Sequence, residues 1–454
     1  MLVDTGKYKY KLIKSLGLVL NSEISSEYDF LKPLPLGDIE ERQIIDLLRH
    51  EIGDEEIFEA VSNVSNFVLC VTEKCCLRCK YCVYSGIYKD HRTHSNTTMN
   101  IETAKKAVDL FFSHIQLPYR KTLDRNLSIG LYGGEVLLEF DLMRSIIDYV
   151  SAESLRLGLN KKFVITPSIS TNGVLLNDSV VDFLVEYNVP SSVSIDGPQQ
   201  VHDQFRVTVD NKGSWQTIMD NLYRFKKRYP DFYDKNVTFL CTIYPVHDGQ
   251  AIDEFFLSHK ELFDLDNVNK IKFSIIRMEE LDDKIKKKIE EGQKDHISQS
   301  KLFFERNLKE RFKSKRFNLN RLTPKPKYTG TCFPASNKMF IGTNGDIHLC
   351  EAIPESIPIG NVFTGLDFQR IRRIVREYNE EIIKNRCWDC DVWFICNVCF
   401  LTALRGGKTF KISCPKKRIK KNLKSYLQLR EREHEQILSD ITFNNVNDYL
   451  DFLQ

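Results

Sequence analysis

The sequence predicts an α/β protein: a barrel of the TIM type, partial or complete, followed by a Cys-rich C-terminal module. Between residues 66 and 276, six short apolar runs alternate with segments of helical periodicity. This alternation is typical of βαβ units that form a parallel sheet. Beyond Pro324 and Pro326 the sequence changes to short strands, turns and cysteines. In a parallel barrel the chemistry takes place at the carboxyl ends of the strands, so the residues that follow each run are candidates for a site.

The six predicted strands are short and mostly rich in β-branched or aromatic residues. They are Phe67–Thr72, Leu127–Tyr132, Phe163–Ser170, Ser191–Ile195, Val237–Tyr244 and Ile271–Ile276. The five helices predicted between them are Ile101–Ile115, Glu139–Leu157, Asp178–Tyr187, Ser214–Lys227 and Ala251–His259. Later in the chain, Thr343-Asn344-Gly345 separates two strand-like runs, which predicts a hairpin.

Shifts in composition divide the chain into five regions. We expect an N-terminal extension or small peptide-recognition-like domain at 1–65, the α/β core at 66–290, a helical linker at 291–326, the Cys-rich module at 327–420 and a helical tail at 421–454. The first region has a strand-like stretch at Tyr8–Ile13 and a helical one at Asp38–His50. The charged stretch Glu279–Lys313 and the basic stretch Lys416–Leu438 are both expected to be solvated helices.

The charge and hydropathy of the chain argue against several classes of function. The formal net charge is +3 over 454 residues, which gives no electrostatic reason for nucleic acid or a membrane as the main partner. No stretch approaches the roughly 18 apolar residues of a spanning helix, and residues 1–20 lack the apolar segment of a signal peptide. We therefore expect a cytoplasmic protein. In that reducing compartment, clusters among the 13 cysteines indicate metal binding rather than disulfides.

The first cysteine cluster directly follows the first predicted strand. Cys75, Cys79 and Cys82 form the pattern C-x3-C-x2-C, and three thiolates on one short loop can hold three irons of a [4Fe–4S] cluster. The fourth iron would then be open to a small molecule. The alternative is a zinc site, which needs a fourth ligand nearby. Three other cysteines are expected to be ordinary core or loop residues without a ligand role. They are Cys70 and Cys76 in this region and Cys241 later in the chain.

The motif resembles the signature of the radical S-adenosylmethionine (radical SAM) superfamily, which has an aromatic residue before the last Cys, here Tyr81. The resemblance implies a partial (β/α)6 barrel of the TIM type and S-adenosylmethionine bound to the open iron. Gly133, Gly134 and Glu135 follow the second strand and resemble the family's glycine-rich segment, which contacts the amino group of the methionine. Glycines allow close approach of the backbone to a ligand, and Glu135 would accept from the ammonium.

Two further segments end the third and fourth predicted strands. Asn172 lies in the stretch 170–173, and Ser194 begins the pattern S-x-D-G-x4-H-D-x2-R, which ends at Arg206. The pattern resembles the branch that contains the anaerobic sulfatase-maturating enzymes. The resemblance implies that Ser194 and Arg206 contact the ribose and the methionine carboxylate, and a guanidinium suits a carboxylate. For His202 and Asp203, ordering of the loop and a direct catalytic role both remain open.

The C-terminal cysteines resemble a SPASM domain, apart from a last spacing of two residues where that pattern has three. The seven are Cys332, Cys350, Cys387, Cys390, Cys396, Cys399 and Cys414. The resemblance implies one auxiliary [4Fe–4S] cluster held by Cys387, Cys390, Cys396 and Cys414. It implies a second held by Cys332, Cys350 and Cys399, with one iron open or bound by another ligand such as His348 or water. The alternative is structural zinc.

These resemblances together imply a radical SAM/SPASM peptide maturase. Such an enzyme takes an electron from a low-potential donor such as flavodoxin or ferredoxin and cleaves S-adenosylmethionine to a 5′-deoxyadenosyl radical. The expected substrate is a precursor peptide containing cysteine, and the expected product a thioether or another crosslink. One alternative is a sulfatase-type maturase that forms formylglycine. An alternative from another class is a non-catalytic iron–sulfur carrier or scaffold, which has no need for a nucleoside pocket.

Overall fold

The computed structural model describes most of the chain between residues 41 and 387 and parts of both ends. The described residues are 2–4, 9–12, 19–21, 41–88, 92–122, 125–243, 249–265, 267, 269–275, 336, 338–387, 390, 392, 396, 400, 404–405, 409–410, 412 and 414–433. The predicted helix at Glu279–Lys313 and the predicted linker at 291–326 lie outside these residues. No helix in the described part is both long and apolar enough to cross a membrane.

The described strands form three sheets. A small antiparallel sheet near the N-terminus contains β1 (Leu2–Asp4), β2 (Lys9–Leu12) and β3 (Val19–Asn21). The six strands of the core are β4 (Asn66–Thr72), β5 (Asn126–Gly133), β6 (Val164–Thr171), β7 (Ser191–Ser194), β8 (Val237–Ile243) and β9 (Ile271–Ile275). The strands of the C-terminal part are β10 (Lys338–Ile341), β11 (Asp346–His348), β12 (Gly360–Asn361), β13 (Gly365–Leu366), β14 (Leu404–Arg405) and β15 (Thr409–Phe410).

The helices connect and cover these strands. They are α1 (Glu41–Arg49), α2 (Asp54–Ser62), α3 (Ile101–Ile115), α4 (Phe140–Arg156), α5 (Asp178–Glu186), α6 (Gln199–Phe205), α7 (Trp215–Arg228), α8 (Pro230–Asn236), α9 (Gly249–Ser258), α10 (Lys260–Phe263), α11 (Phe368–Lys384) and α12 (Lys416–Glu433). Side chains cap several of them: Asn100 accepts from the backbone N–H of Thr103 at 2.7 Å in α3, and Asn177 does the same for Val180 in α5 at 3.0 Å. Such caps satisfy N–H groups that the first turn leaves unpaired.

The core is an open parallel sheet, as the sequence predicts. Strands β4 to β9 pair in chain order, each parallel to the next. Six of the seven residues of β4 are buried, which fits a parallel strand covered on both faces. The ring of Phe67 in β4 stacks on Phe111 of α3 at 4.7 Å between centroids. The first and last strands of the sheet do not pair with each other among the described residues, so the prediction of a partial barrel is confirmed.

The C-terminal hairpin extends this same sheet. β10 pairs parallel with β4, with Lys338 opposite Asn66 and Ile341 opposite Leu69. β11 then pairs antiparallel with β10. Gly345 adopts φ +87° in the turn between them, a conformation that favours glycine. The hairpin prediction is confirmed, and its position at the edge of the core sheet places the residues after β11 beside the core.

The N-terminal helices also pack against a C-terminal element. Asn379 of α11 donates from Nδ2 to the carbonyl of Leu48 at 2.9 Å, and Arg372 donates to the carbonyl of Ile52 at 2.9 Å. Hydrogen bonds between residues far apart in the sequence thus hold α1 and the segment that follows it against α11. The predicted regions 1–65 and 327–420 therefore share an interface.

Candidate active site

The loop after β4 carries the three cysteines of the first motif. The backbone N–H of Leu77 points at Cys75 Sγ from 3.4 Å, and that of Tyr84 points at Cys82 Sγ from 3.4 Å. Burial raises the pKa of Cys79, and it raises the pKa of Cys82 to about 12. The contact with the neighbouring Cys76 thiol, followed by burial, raises the pKa of Cys75. Binding of a metal centre to these thiols would release their protons.

The donor set fits an iron–sulfur cluster. Cys75, Cys79 and Cys82 lie on one loop at the carboxyl end of a core strand, and thiolates are the ligands of such clusters. Among the residues that the structure describes, no three His, Cys, Asp or Glu side chains converge closely enough to bind one metal ion. The assignment of a cluster to these three cysteines stays a prediction.

Gly133 and Gly134 bring the end of β5 against the cysteine loop. A Cβ atom on Gly133 would lie 2.1 Å from the carbonyl oxygen of Thr72, and one on Gly134 would lie 2.1 Å from that of Lys74. Backbone hydrogen bonds hold the same approach, since the Gly134 N–H donates to Thr72 at 2.7 Å and the Glu135 N–H to Lys74 at 2.8 Å. The two glycines are therefore required for packing of the cysteine loop, whatever ligand they contact.

Glu135 is fully buried, and its carboxylate accepts three hydrogen bonds from the protein. Oε1 accepts from Thr171 Oγ1 at 2.7 Å and from the Leu137 N–H at 3.2 Å, and Oε2 accepts from the Asn172 N–H at 2.7 Å. Burial raises the pKa of Glu135, and the bond from Asn172 opposes this rise. The carboxylate thus joins the ends of β5 and β6. A contact between Glu135 and the methionine ammonium stays a prediction. Such a contact would use the acceptor capacity that remains on Oε2, which takes one of the three hydrogen bonds.

Asn172 reaches from the end of β6 to the cysteine loop. Its side-chain Nδ2 lies 3.3 Å from Cys76 Sγ and 3.7 Å from Cys75 Sγ, and its Oδ1 accepts from the Val174 N–H at 3.0 Å. Ser194 ends β7, where it is half-buried. The structure thus brings Asn172 to the first cluster motif and places Ser194 at the corresponding end of the next strand.

Tyr81, Asp196 and Arg206 form a buried hydrogen-bonded group beside Cys79. The Tyr81 hydroxyl donates to Asp196 Oδ2, and Arg206 Nη1 donates to the same hydroxyl at 3.0 Å. Asp196 Oδ1 accepts from the Thr242 N–H at 2.9 Å. Arg206 is 7% exposed, and its buried Nε has no hydrogen-bond partner in the structure. Asp196 is part of the motif that begins at Ser194, but the sequence analysis assigned no role to it.

His202 and Asp203 order the loop that carries Arg206. His202 Nδ1 accepts from the Asp196 N–H at 3.2 Å, and its Nε2 lies 3.0 Å from Ser214 Oγ. Ser214 donates in turn to the carbonyl of Arg206 at 2.8 Å, so this bonding assigns the proton to Nε2 and leaves the imidazole neutral. Asp203 accepts from the N–H groups of Ser214 and Trp215 at the start of α7. Both side chains are engaged inside the protein, which favours the ordering role over catalysis.

Cys350 follows β11 in a turn that a buried arginine holds. Arg92, which is 2% exposed, donates from Nη1 to the carbonyls of Glu351 at 2.6 Å and Ile353 at 3.4 Å. Its guanidinium lies 4.6 Å from the centroid of the Phe340 ring in β10. The loop after the first cysteine motif is thereby joined to the turn of Cys350. This contact could not be predicted, because a single arginine in a loop has no distinctive sequence pattern.

The remaining C-terminal cysteines follow α11. Burial and then the thiols of Cys396, Cys414 and Cys390 raise the pKa of Cys387 to about 12, so these four sulfurs share one neighbourhood. The auxiliary cluster that they would hold stays a prediction. Cys332 and Cys399, predicted for the other, lie outside the described residues. Cys70 and Cys241 are buried within β4 and β8, as predicted, and Cys70 Sγ lies 3.2 Å from the Tyr84 hydroxyl.

Part of the chain is similar to known proteins. The family model described as "Radical SAM superfamily" matches residues 69–257. The chain is 28% identical over 202 residues to a cysteine-type anaerobic sulfatase-maturating enzyme of Clostridium novyi, covering 44% of this chain and 49% of that enzyme. It is 28% identical over 181 residues to the radical SAM cyclopropyl synthase TigE of Paramaledivibacter caminithermalis, covering 39% of this chain and 36% of that one. These alignments thus span about half or less of the relatives' lengths.

A solved structure has the same fold over most of the chain. Native anSMEcpe with bound AdoMet matches with a TM-score of 0.55 and 17% identity, covering 80% of this chain and 97% of that one. Radical SAM proteins use a [4Fe–4S] cluster and S-adenosylmethionine. Residues 69–257, which contain the cysteine loop at the end of β4 and most of the open parallel sheet, are thus similar to the radical SAM superfamily.

Proposed function

We propose that this protein is a radical SAM/SPASM maturase that modifies a ribosomally made peptide containing cysteine and forms a thioether or another crosslink. The observation that supports catalysis most strongly is the buried Arg206 beside Cys79, whose Nε–H has no hydrogen-bond partner among the described residues. A buried guanidinium with an unused donor is a site for an anion such as a carboxylate. A simple iron–sulfur carrier has no use for an anion site beside its cluster.

Each residue of the site has a separate task in this proposal. Cys75, Cys79 and Cys82 hold the cluster, and Arg206 binds the carboxylate of S-adenosylmethionine. The cluster and S-adenosylmethionine, when bound, supply the one-electron chemistry that generates a 5′-deoxyadenosyl radical. Gly133 and Gly134 keep the loop tight against β5, and Glu135 joins the ends of β5 and β6 below it. Ser194 is assigned to the ribose, and a flavodoxin or ferredoxin is the proposed electron donor.

The test replaces Cys75, Cys79 and Cys82 together with Ala in protein reconstituted without oxygen. We expect 5′-deoxyadenosine formation to be abolished, while iron bound by the C-terminal cysteines persists. Cys76→Ala is the matched control, since Cys76 lies on the same loop but is not assigned as a ligand; it should keep both iron and cleavage. Undiminished cleavage by the triple variant would show that the assignment is wrong.

The peptide substrate rests on the second group of cysteines. The shared neighbourhood of Cys387, Cys390, Cys396 and Cys414 supports one auxiliary cluster, and Cys350 is assigned to another together with Cys332 and Cys399. Three thiolates leave one iron of the latter open. A substrate cysteine thiolate is a soft ligand suited to that iron, where it would be held deprotonated for bond formation to carbon.

The substrate is tested with a co-expressed candidate peptide and its Cys→Ser variant. Mass spectrometry should show loss of two hydrogens and a crosslink only in the Cys peptide, and the signal of the auxiliary cluster should change when that peptide is added. Similarity to a sulfatase-maturating enzyme favours one second function, oxidation of Cys or Ser to formylglycine. An aldehyde in the product in place of a crosslink would select it.

A further inference from the structure

We propose that the hydroxyl of Tyr81 is a positioning group: it separates Arg206 from Asp196 and so keeps the guanidinium available for the carboxylate of S-adenosylmethionine. This inference rests on the proposed function, because it assigns Arg206 to that carboxylate. It goes further in giving the phenol oxygen, rather than the ring, a task in binding.

The location of Tyr81 ties its hydroxyl to the cluster loop. The residue lies between Cys79 and Cys82, is 7% exposed, and its ring packs 6.2 Å from that of Phe205 at the end of α6. The Tyr88 hydroxyl donates to the carbonyl of Tyr81 at 2.9 Å, which fixes the backbone from the other side. The phenol oxygen is therefore held at a defined place between the cysteine loop and β7.

Hydrogen-bond roles in the group are determined by its chemistry. A guanidinium can only donate and an ionised carboxylate can only accept. Arg206 Nη1 therefore donates to the phenol oxygen, and the phenol proton is directed to Asp196 Oδ2. Asp196 Oδ1 is engaged by the Thr242 N–H. The phenol thus forms a hydrogen bond with each of the two charged groups, Arg206 and Asp196, and keeps them from pairing directly.

Loss of the hydroxyl would remove both bonds at once. Asp196 is fully buried, and a buried carboxylate oxygen without a donor is strongly disfavoured. The Arg206 side chain has rotatable bonds, and one phenol oxygen bridges its guanidinium to Asp196, so the guanidinium would turn to pair with the carboxylate directly. The donors that pair with Asp196 would then no longer be available for a ligand carboxylate. The backbone of Arg206 would stay in place, since Ser214 holds its carbonyl.

The experiment measures binding to reconstituted Tyr81→Phe protein by isothermal titration calorimetry. The two ligands are S-adenosylmethionine and decarboxylated S-adenosylmethionine, which lacks the carboxylate. We expect roughly 10-fold weaker binding of the first, the loss of about one charge-assisted hydrogen bond, and unchanged binding of the second. Equal loss for both ligands, or no loss for either, would overturn the proposal. Tyr84→Phe removes another buried hydroxyl from the same loop, one that contacts Cys70 rather than Tyr81, and should change neither affinity.

Rescue distinguishes positioning from a general structural effect. In Tyr81→Phe/Asp196→Asn the carboxylate charge that captures Arg206 is absent, so affinity for S-adenosylmethionine should recover towards that of the parent protein. This variant removes the buried carboxylate that would otherwise lack a donor, and it therefore also tests the proposal if the single variant does not fold. A double variant that binds as weakly as Arg206→Met would refute it. Failure of the parent protein itself to bind S-adenosylmethionine would instead refute the proposed function.

Discussion

Glu135 and Arg206 are both buried charged residues next to the cysteine loop, but they differ in how many of their atoms the protein itself uses. Both oxygens of Glu135 accept from protein donors, whereas the Nε of Arg206 has no partner in the described part of the chain. Most of the hydrogen-bonding capacity of Glu135 is used inside the protein and stabilises structure, whereas the unused donor of Arg206 can bind a ligand. This difference separates two residues that the sequence assigns to the same ligand.

Replacing Arg206 with Met should weaken binding of S-adenosylmethionine. Loss of one charge-assisted hydrogen bond amounts to about 1.5–3 kcal/mol, or roughly 10- to 150-fold in affinity at about 1.4 kcal/mol per decade. Isothermal titration calorimetry measures the affinity, and iron content should stay at the parent level. Parent affinity in this variant would place the carboxylate elsewhere.

Replacing Glu135 with Ala should act mainly on stability. The variant leaves Thr171 Oγ1 and the N–H groups of Leu137 and Asn172 without their acceptor, at a cost of about 1–3 kcal/mol for each buried group left unsatisfied. Chemical denaturation should therefore show a clearly lower free energy of unfolding, with S-adenosylmethionine bound more weakly as the end of β6 loosens. Unchanged stability would contradict the structural role of the carboxylate.

At the scale of elements, Arg92 fixes the turn of Cys350 on the loop that follows the first cysteine motif. Arg92→Met should remove two hydrogen bonds to carbonyls, each worth about 1.5–3 kcal/mol when the donor is charged. Faster hydrogen exchange in residues 338–366 and faster alkylation of Cys350 in cluster-free protein are expected.

Arg120 offers a matched control for that variant. Arg120 donates to the carbonyls of Ser62 at 2.6 Å and Val64 at 3.4 Å, and it lies 5.2 Å from the Phe163 ring centroid. These contacts are of the same kind as those of Arg92, but they do not involve the turn of Cys350. Arg120→Met should lower stability without changing exchange around Cys350. Similar exchange in both variants would mean that Arg92 has no local effect there.

The helix α3 carries a histidine that makes stability depend on pH. Burial lowers the pKa of His114 to about 4 from 6.5, and its Nδ1 has no hydrogen-bond partner. The unfolded chain therefore takes up a proton below pH 6.5 that the folded protein accepts only near pH 4. The contribution of His114 to stability is complete above pH 6.5 and is lost as pH falls towards 4. His114→Gln should flatten the unfolding curve in this window; an unchanged slope would contradict the shift.

Local patterns predict the core strands well, because each is a short apolar run between polar turns. The observed β6 and β8 differ from the predicted strands by about one residue at their ends. The pairing of β10 with β4 could not be predicted, since it joins segments about 270 residues apart and leaves no periodic signal in either. The short helix α6 was missed because seven residues give too little periodicity. The site motifs located Arg206 and Tyr81, but only coordinates could show the hydrogen bond between them.

At the scale of the whole molecule, the cysteines predict the iron content. Ten of the 13 cysteines are assigned as ligands and the three others, Cys70, Cys76 and Cys241, are not. Three cubanes of four irons correspond to about twelve irons per chain. Elemental analysis of protein reconstituted without oxygen checks this number. Iron near four per chain, or zinc in a fixed ratio, would contradict the two auxiliary clusters.

The pairing of β4 with β10 also determines when the central sheet can be completed during translation. When β4 leaves the ribosome, its partner on one side is about 270 residues from being made, which at roughly 5–20 residues per second takes about 15 to 55 seconds. During that interval one edge of β4, the strand that leads into Cys75, has no partner from the C-terminal hairpin. An open strand edge attracts other chains. The nascent protein would therefore need protection at this edge, and truncated forms that end before Lys338 should aggregate even though they contain all six core strands.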